Sequence, residues 1–534
     1  MWVGLVGVCG VAQAWTQQAG GDGKTTPPVL LSGQTTITED SGAAKAPADT
    51  LLTPQQELEL RGDEDSILQF VSHDTGLAIK KPVKLRFVSR EEVNKELRKK
   101  FDEDKGAKRM ERSELVMKKF GLLDPDFKMR PFLLSLLTEQ IAGFYDNKTK
   151  EMNLLNWVPI DQQKPVMAHE LTHALQDQRV NLTKWGDQEV EGVAKDVAED
   201  NHHIATDETD TAREAALEGQ AMVTFADHML VDTGHTGKTI KNFPQVVDML
   251  VNGAGDASDS PVLARAPLVL QQALLFPYTA GLKFEDVVLT KQGTEKAFAG
   301  VLDAPPNSSF EVMTPDAYLQ HASVPVLRLP DIHPLLKSAG FEPYDVGVMG
   351  ELDVRMTAEL FGGKPLAEAL APNWSGGVYY AAQRSSATPE QKSTSASLGL
   401  LYLSQWKNDD SARSYFDVFD QQMARQYDSL KRRNKDEQGD NERVYSTNEG
   451  DVLLIRDGKS VWVSEGFDLA LARKLYEAVS GANPIGQGKL LSASNRAPGG
   501  DAAAGFIVPQ HGLIGGLVGT LGSFGVLRAV LPRR

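Results

Sequence analysis

The stretch "PVMAHELTHALQDQ", Pro165 to Gln178, holds a His-Glu-x-x-His pattern inside an apolar run. Val166, Met167, Leu171, Ala174 and Leu175 recur at helical spacing, with Pro165 near the start, so the run predicts a half-buried helix. On such a helix His169 and His173 stand one above the other on the same face, and each can give a ring nitrogen to one ion. Glu170 is turned by about 100° from His169 and lies beside the ion, where a carboxylate can take a proton from a metal-activated water. Two hydrogen-bonded core histidines would share this spacing; the glutamate between them and the apolar helix around them favour the metal.

A third ligand has to come from elsewhere in the chain. The three-histidine extension of the motif requires Gly and His at 176 and 179, where Gln176 and Arg179 stand, so that branch is excluded. A carboxylate branch needs a glutamate on a following helix. "TDTAREAALEGQAMVTFADHML", Thr209 to Leu230, supplies Glu214 and Glu218 one turn apart, beside an apolar stripe through Ala212, Ala215, Gly219, Met222, Val223 and Ala226.

"HELTHALQDQ" followed by "EGQA" resembles the gluzincin branch of zinc metallopeptidases, over roughly Gly143 to Leu230. Residue by residue, the resemblance implies a Zn2+ site of His169, His173 and Glu218, with Glu170 as general base. It leaves Glu214 as a charge that supports a ligand from behind or faces the surface. The family places an aspartate four residues after the glutamate ligand to orient a histidine; Met222 stands there, and Asp177 is one substitute unless it pairs with Arg179 or solvent. A Tyr or His beyond the third ligand stabilises the oxyanion in such enzymes, which points to Tyr278 in "FPYTAG" after a long helix, with His228 and His235 as rivals. A tyrosine in that position is also an ordinary core residue. His202 and His203 lie in a polar run and are expected at the surface. The strand "EMNLLNW", Glu151 to Trp157, would by analogy be the edge strand along which a peptide substrate pairs. More loosely, "GFYDNKTK" through "PPNSSFEVMTPDAYL" is similar to a group of uncharacterised exported bacterial proteins.

The chain has 534 residues, 24% charged and 41% hydrophobic, with a formal net charge of -16. Such an acidic balance argues against nucleic-acid partners, which need clustered cations. The basic run "KRRNK", Lys431 to Lys435, is expected to be a solvated helix end or loop. The apolar start through Val11, followed by Ala12-Gln13-Ala14, is expected to be a secretory signal over residues 1–14, which implies an exported protein of the periplasm, cell envelope or medium. Cys9, the only cysteine, falls within it, so any metal in the mature chain would be held by nitrogen and oxygen.

Residues 15–50 are rich in Gly, Ser, Thr, Ala and Pro and predict a disordered linker. The expected fold class is α+β: a mainly helical zincin-like metallopeptidase domain with a small sheet over residues 51–304, then an α+β region over 305–484 beyond a turn cluster at Pro305-Pro306. Within it, Ser89 with Glu92 predicts a capping box, Asp146-Asn147 a strand-to-strand turn, and "RDGK", Arg456 to Lys459, a hairpin. Residues 485–534 read as a linker and a glycine-rich apolar tail. The tail's 16 uncharged residues, Gly512 to Leu527, would span about 24 Å as a helix, short of a bilayer, and suit packing on the protein or a weak membrane or envelope contact.

The function these readings imply is an exported zinc peptidase acting on a peptide or protein substrate. A cell-envelope binding or assembly protein that keeps the zincin scaffold without activity is the alternative, and no residue excludes a metal-dependent hydrolase of another substrate class.

Overall fold

A computed structural model of the chain describes residues 51–103, 105–185, 196–254, 260–485 and 489–491. The expected signal, the linker before residue 51 and the apolar tail lie outside them. By its contacts the chain separates after Asp49, and all described residues belong to the second unit, Thr50–Arg534, which also contains the Pro305-Pro306 stretch. The fold is mixed α+β, with a three-stranded sheet, a seven-stranded sheet and a two-stranded pair.

An N-terminal helix, Pro54–Thr75, opens on a Thr53/Gln56 capping box and ends at Gly76 in the left-handed region. Strand β1, Lys84–Val88, follows. The expected capping box is present: the Glu92 carboxylate accepts from the Ser89 amide at 2.8 Å, and the Glu92 amide donates to the Ser89 hydroxyl at 3.2 Å, opening the helix Arg90–Glu103. Strands β2, Gly143–Asp146, and β3, Glu151–Leu155, are joined by a turn in which the Asp146 carboxylate accepts the Lys148 and Thr149 amides.

The strand order is β1-β3-β2, with β1 parallel and β2 antiparallel to β3. This corrects the sequence expectation for the edge strand. Strand β3 is paired on both sides, so the strand with a free edge on the hairpin side is β2.

Three long helices build the centre of this half: the motif helix Ile160–Val180, the glutamate helix Thr209–Asp232 and the tyrosine helix Leu268–Gln292. The motif helix is buried without interruption from Pro165 to Asp177, where a half-buried stripe was expected. The N-terminal helix, the small sheet and the glutamate helix cover it from different sides. Its end is set by Asn181 in the left-handed region. The tyrosine helix also differs from expectation: it continues through Pro277, so Tyr278 lies inside it rather than after it. A proline inside a helix costs about 3 kcal/mol. Here Leu282, Phe284 and Val288 are all buried along the continuation, and that packing outweighs the lost bond.

The seven-stranded antiparallel sheet runs in the order Phe341–Gly347, Trp374–Arg384, Leu398–Trp406, Ser460–Phe467, Gly450–Asp457, Glu442–Thr447, Leu430–Arg432. Leu398–Trp406 is buried at every position, so both faces are covered. Tyr402 packs on Tyr415 and Phe419 of the helix Asp409–Gln426, while Trp462, one register step away on the neighbouring strand, packs on Tyr476 of the helix Leu469–Ala482. Side chains alternate across a sheet, which puts these two helices on opposite faces. Phe120, just beyond the helix Lys105–Lys119, meets both Tyr379 and Tyr402 edge-on and joins the first half to the sheet.

The predicted hairpin forms with Asp457 paired to Ser460, and Gly458 takes a φ of 52° in the two-residue loop. "KRRNK" is an edge strand and a short turn rather than a helix end, and its two arginines are matched: Arg432 to Glu437 at 2.8 Å, Arg433 to Asp436 at 2.6 Å and to Asp451 at 2.9 Å. No described helix is long and apolar enough to cross a membrane.

Candidate metal centre

The strand-to-helix turn before the motif is clamped by Gln163, whose amide donates to the Leu155 and Val158 carbonyls at 2.8 and 3.0 Å. The motif and glutamate helices are pinned by Thr172 and Thr224, whose hydroxyls lie 2.6 Å apart. This pairing brings three ligand-type atoms together. His169 Nε2 is 3.1 Å from His173 Nε2, 3.0 Å from Glu218 Oε2, and His173 Nε2 is 3.4 Å from that same oxygen. Ligands on tetrahedral zinc at 2.0–2.1 Å would be about 3.3 Å apart. Among the described residues, His169, His173 and Glu218 are the only such group of three able to hold a metal ion.

The electrostatics suit a cation placed among these three groups. Burial pulls His169 below its ordinary value, against the Glu218 carboxylate. Burial acts on His173 too, but the charge of Glu218 and a hydrogen bond to it overcome the loss and raise His173 to about 9. Glu218, which burial alone would raise, is held down at about 2 by His173 and His169. Two ring nitrogens facing each other share one proton at most between them, and a divalent cation satisfies all three groups together.

Glu170 is fully buried, and neither carboxylate oxygen makes a hydrogen bond of ordinary geometry among the described residues, although the Tyr145 amide lies near enough to act on it. Burial lifts it to about 8, against the pull of His173 and of the Tyr145 amide. Strand β2 passes close at this point: a methyl on Gly143 would come within 2.8 Å of Val166 and 3.5 Å of the Glu170 side chain. Glu214, one turn before Glu218, is half-buried and raised well above the carboxylate range by burial and by Glu218. It stands beside the ligand set and not in it.

Tyr278 is buried, with its ring stacked near His169 at a centroid distance of 6.2 Å and 25° between planes. Its rivals lie elsewhere. His228 is ten residues past Glu218, about 15 Å along the helix, where it pairs with Asp232 and meets Phe70 edge-on. His235 is exposed beside Thr233 and Phe243. His202 is exposed as expected, but His203 is buried and lies 3.3 Å from Asp207, a correction to the surface reading. Its helix, Val197–Thr206, packs against the strand Phe341–Gly347, which no local pattern announces.

Asp177 does not orient a histidine. It accepts from the Tyr145 hydroxyl at 2.8 Å, the Lys150 ammonium at 2.6 Å and the Leu182 amide at 2.9 Å. Arg179 pairs with Asp303 instead. The atom at His173 Nδ1 is Gln176 Oε1, 2.8 Å away. Sequence reasoning met Gln176 only as the residue that breaks the three-histidine extension. Its position three residues after a ligand, on the same face, was the available signal. No family model, curated protein or solved structure matches this chain.

Proposed function

We propose that the protein is a zinc-dependent peptidase of the gluzincin type, in which His169, His173 and Glu218 hold the metal and Glu170 is the general base. The observation that carries this reading is a buried carboxyl without a hydrogen bond of ordinary geometry beside a converged His, His, Glu set. Leaving such a group unpaired costs on the order of 1–3 kcal/mol, and a proton-transfer role accounts for that cost. Zinc bound there supplies a Lewis acid that brings a water near a pKa of about 7.

Glu170 would take a proton from the water that attacks the peptide carbonyl and return it to the leaving amine. Tyr278 donates its hydroxyl to the developing oxyanion; the placement of its ring against His169 supports this role. An extended substrate pairs with the free edge of β2, whose Gly143 lies over Glu170. Export is part of the proposal and rests on the N-terminal sequence.

The test is peptide hydrolysis by the full chain and by Glu170→Gln, with zinc content measured in both. The variant is expected to keep its zinc and lose about 10²–10⁴-fold in rate. Equal rates in the two proteins would overturn the role of Glu170, and zinc binding without hydrolysis in either would favour a binding protein on the same scaffold.

A further inference from the structure

We infer that His173 is held in its metal-binding tautomer by a directed chain of amide hydrogen bonds running from the Ala297 and Phe298 carbonyls through Gln220 and Gln176, which makes both glutamines positioning residues. The inference rests on the metal-binding part of the reading above and not on peptide hydrolysis.

The direction of the chain follows from what each atom can do. Backbone carbonyls only accept, so the Gln220 atom 2.8 Å from Ala297 O and 3.1 Å from Phe298 O is its nitrogen, Nε2. Gln220 therefore turns its oxygen, Oε1, toward the motif helix. The Gln176 atom 3.0 Å from that oxygen, and 3.0 Å from the Leu217 carbonyl, is in turn a nitrogen. Gln176 then presents Oε1 to His173 Nδ1 at 2.8 Å, and an oxygen that only accepts requires the proton on Nδ1. The lone pair of His173 is left on Nε2, the atom 3.4 Å from Glu218. Glu285 lies beside Gln220; burial raises its carboxyl well above the ordinary range, and the Gln220 amide, acting as a donor toward it, opposes that rise, which agrees with the nitrogen assignment.

All three links are fully buried or nearly so: Gln176 and Gln220 at 0% exposure and His173 at 9%. Water cannot substitute for a broken link. The chain also crosses three elements, since Ala297 and Phe298 belong to a π-helical turn, Lys296–Gly300, that follows the tyrosine helix. That turn therefore acts on the metal site without touching it.

The experiment compares zinc affinity, by chelator competition, in the full chain and in Gln176→Met, Gln220→Met and Gln163→Met. The His173 Nδ1–H resonance of each zinc-loaded protein is the second readout. Gln163 is the control, a buried glutamine on the same helix bonded only to backbone carbonyls away from the ligands. Gln176→Met and Gln220→Met are each expected to weaken zinc by about 10–100-fold and to shift or broaden the resonance. Gln163→Met is expected to lower the melting temperature with zinc affinity changed by less than about threefold. Should Gln220→Met not fold, Gln220→Asn shortens the amide, breaks the same bonds and is expected to give the same two effects. A Gln220 variant within about threefold of the natural affinity overturns the inference, as does a Gln163→Met effect equal to that of Gln220→Met. Absence of zinc uptake by the unsubstituted protein overturns the metal reading itself and is told apart by that measurement alone.

Discussion

Gly219 and Gly281 stand in backbone contact where the glutamate and tyrosine helices cross. A methyl on Gly219 would lie 2.3 Å from the Gly281 carbonyl oxygen, and one on Gly281 would lie 2.1 Å from the Ala215 carbonyl oxygen. Gly219 adjoins Glu218, one of the three groups able to hold a metal, and Gly281 is one turn past Tyr278, so this crossing sets how closely the tyrosine helix approaches the site.

Alanine is normally favoured over glycine in a helix by about 1 kcal/mol. Here the added methyl meets backbone on the facing helix, which cannot rotate away, and overpacking costs about 1–3 kcal/mol or more. Gly219→Ala and Gly281→Ala are therefore each expected to lower stability in urea unfolding, and to weaken zinc binding with it. Unchanged unfolding midpoints would show that the crossing can open without cost.

Asp177→Asn is expected to leave zinc affinity within about threefold of the natural value, because Gln176 rather than Asp177 meets His173. Stability should drop, since the Lys150 ammonium at 2.6 Å loses its carboxylate and the Tyr145 hydroxyl its acceptor. A zinc affinity lowered tenfold or more would restore to Asp177 the orienting role that the sequence suggested, with effects of about 10–100-fold typical of such groups.

In the metal-free protein His173 is raised to about 9, so at pH 7 its ring carries a proton that zinc must displace. Glu218, held at about 2, is already ionised and releases none. Zinc affinity should therefore climb as pH rises toward 9 and then level. Calorimetry at pH 7 in buffers of different ionisation enthalpy should register about one to two protons released per zinc, from His173 and from Glu170, which is raised to about 8. Binding heats independent of the buffer would contradict this.

The N-terminal and glutamate helices share a carboxyl pair, Asp74 raised to about 6 and Asp227 to about 8. Burial is the main cause in both, and the charge of Asp74 adds to it at Asp227 while Lys241 opposes it at both. Groups whose folded pKa is raised bind more protons in the folded state, so their contribution falls as pH rises through the window from about 4 to 8. Asp227→Asn is expected to flatten the loss of stability between pH 5 and pH 8. Parallel pH profiles for the two proteins would count against the shared proton.

Much of the centre was legible because it is local. His169 and His173 meet because they are four apart on one helix, and the Ser89/Glu92 box, the Asp146 turn and the hairpin at Gly458 are each set within a few residues. The choice between Glu214 and Glu218 was only half local: both lie on the right helix, and the Thr172–Thr224 contact decides which of them faces the histidines. The edge strand could not be read at all, since β1, far upstream, pairs along β3 and leaves the free edge to β2.

By itself the sequence determined the motif helix, its ligand-type residues and the α+β class, because helical period, caps and turns are properties of short segments. Tertiary structure alone decided the third ligand's approach, the burial of His203 and the amide chain behind His173. Those depend on which helices cross and how closely, and that is set by the packing of residues far apart in the chain, of which Gly281 against Gly219 and Ala215 is an instance at this site.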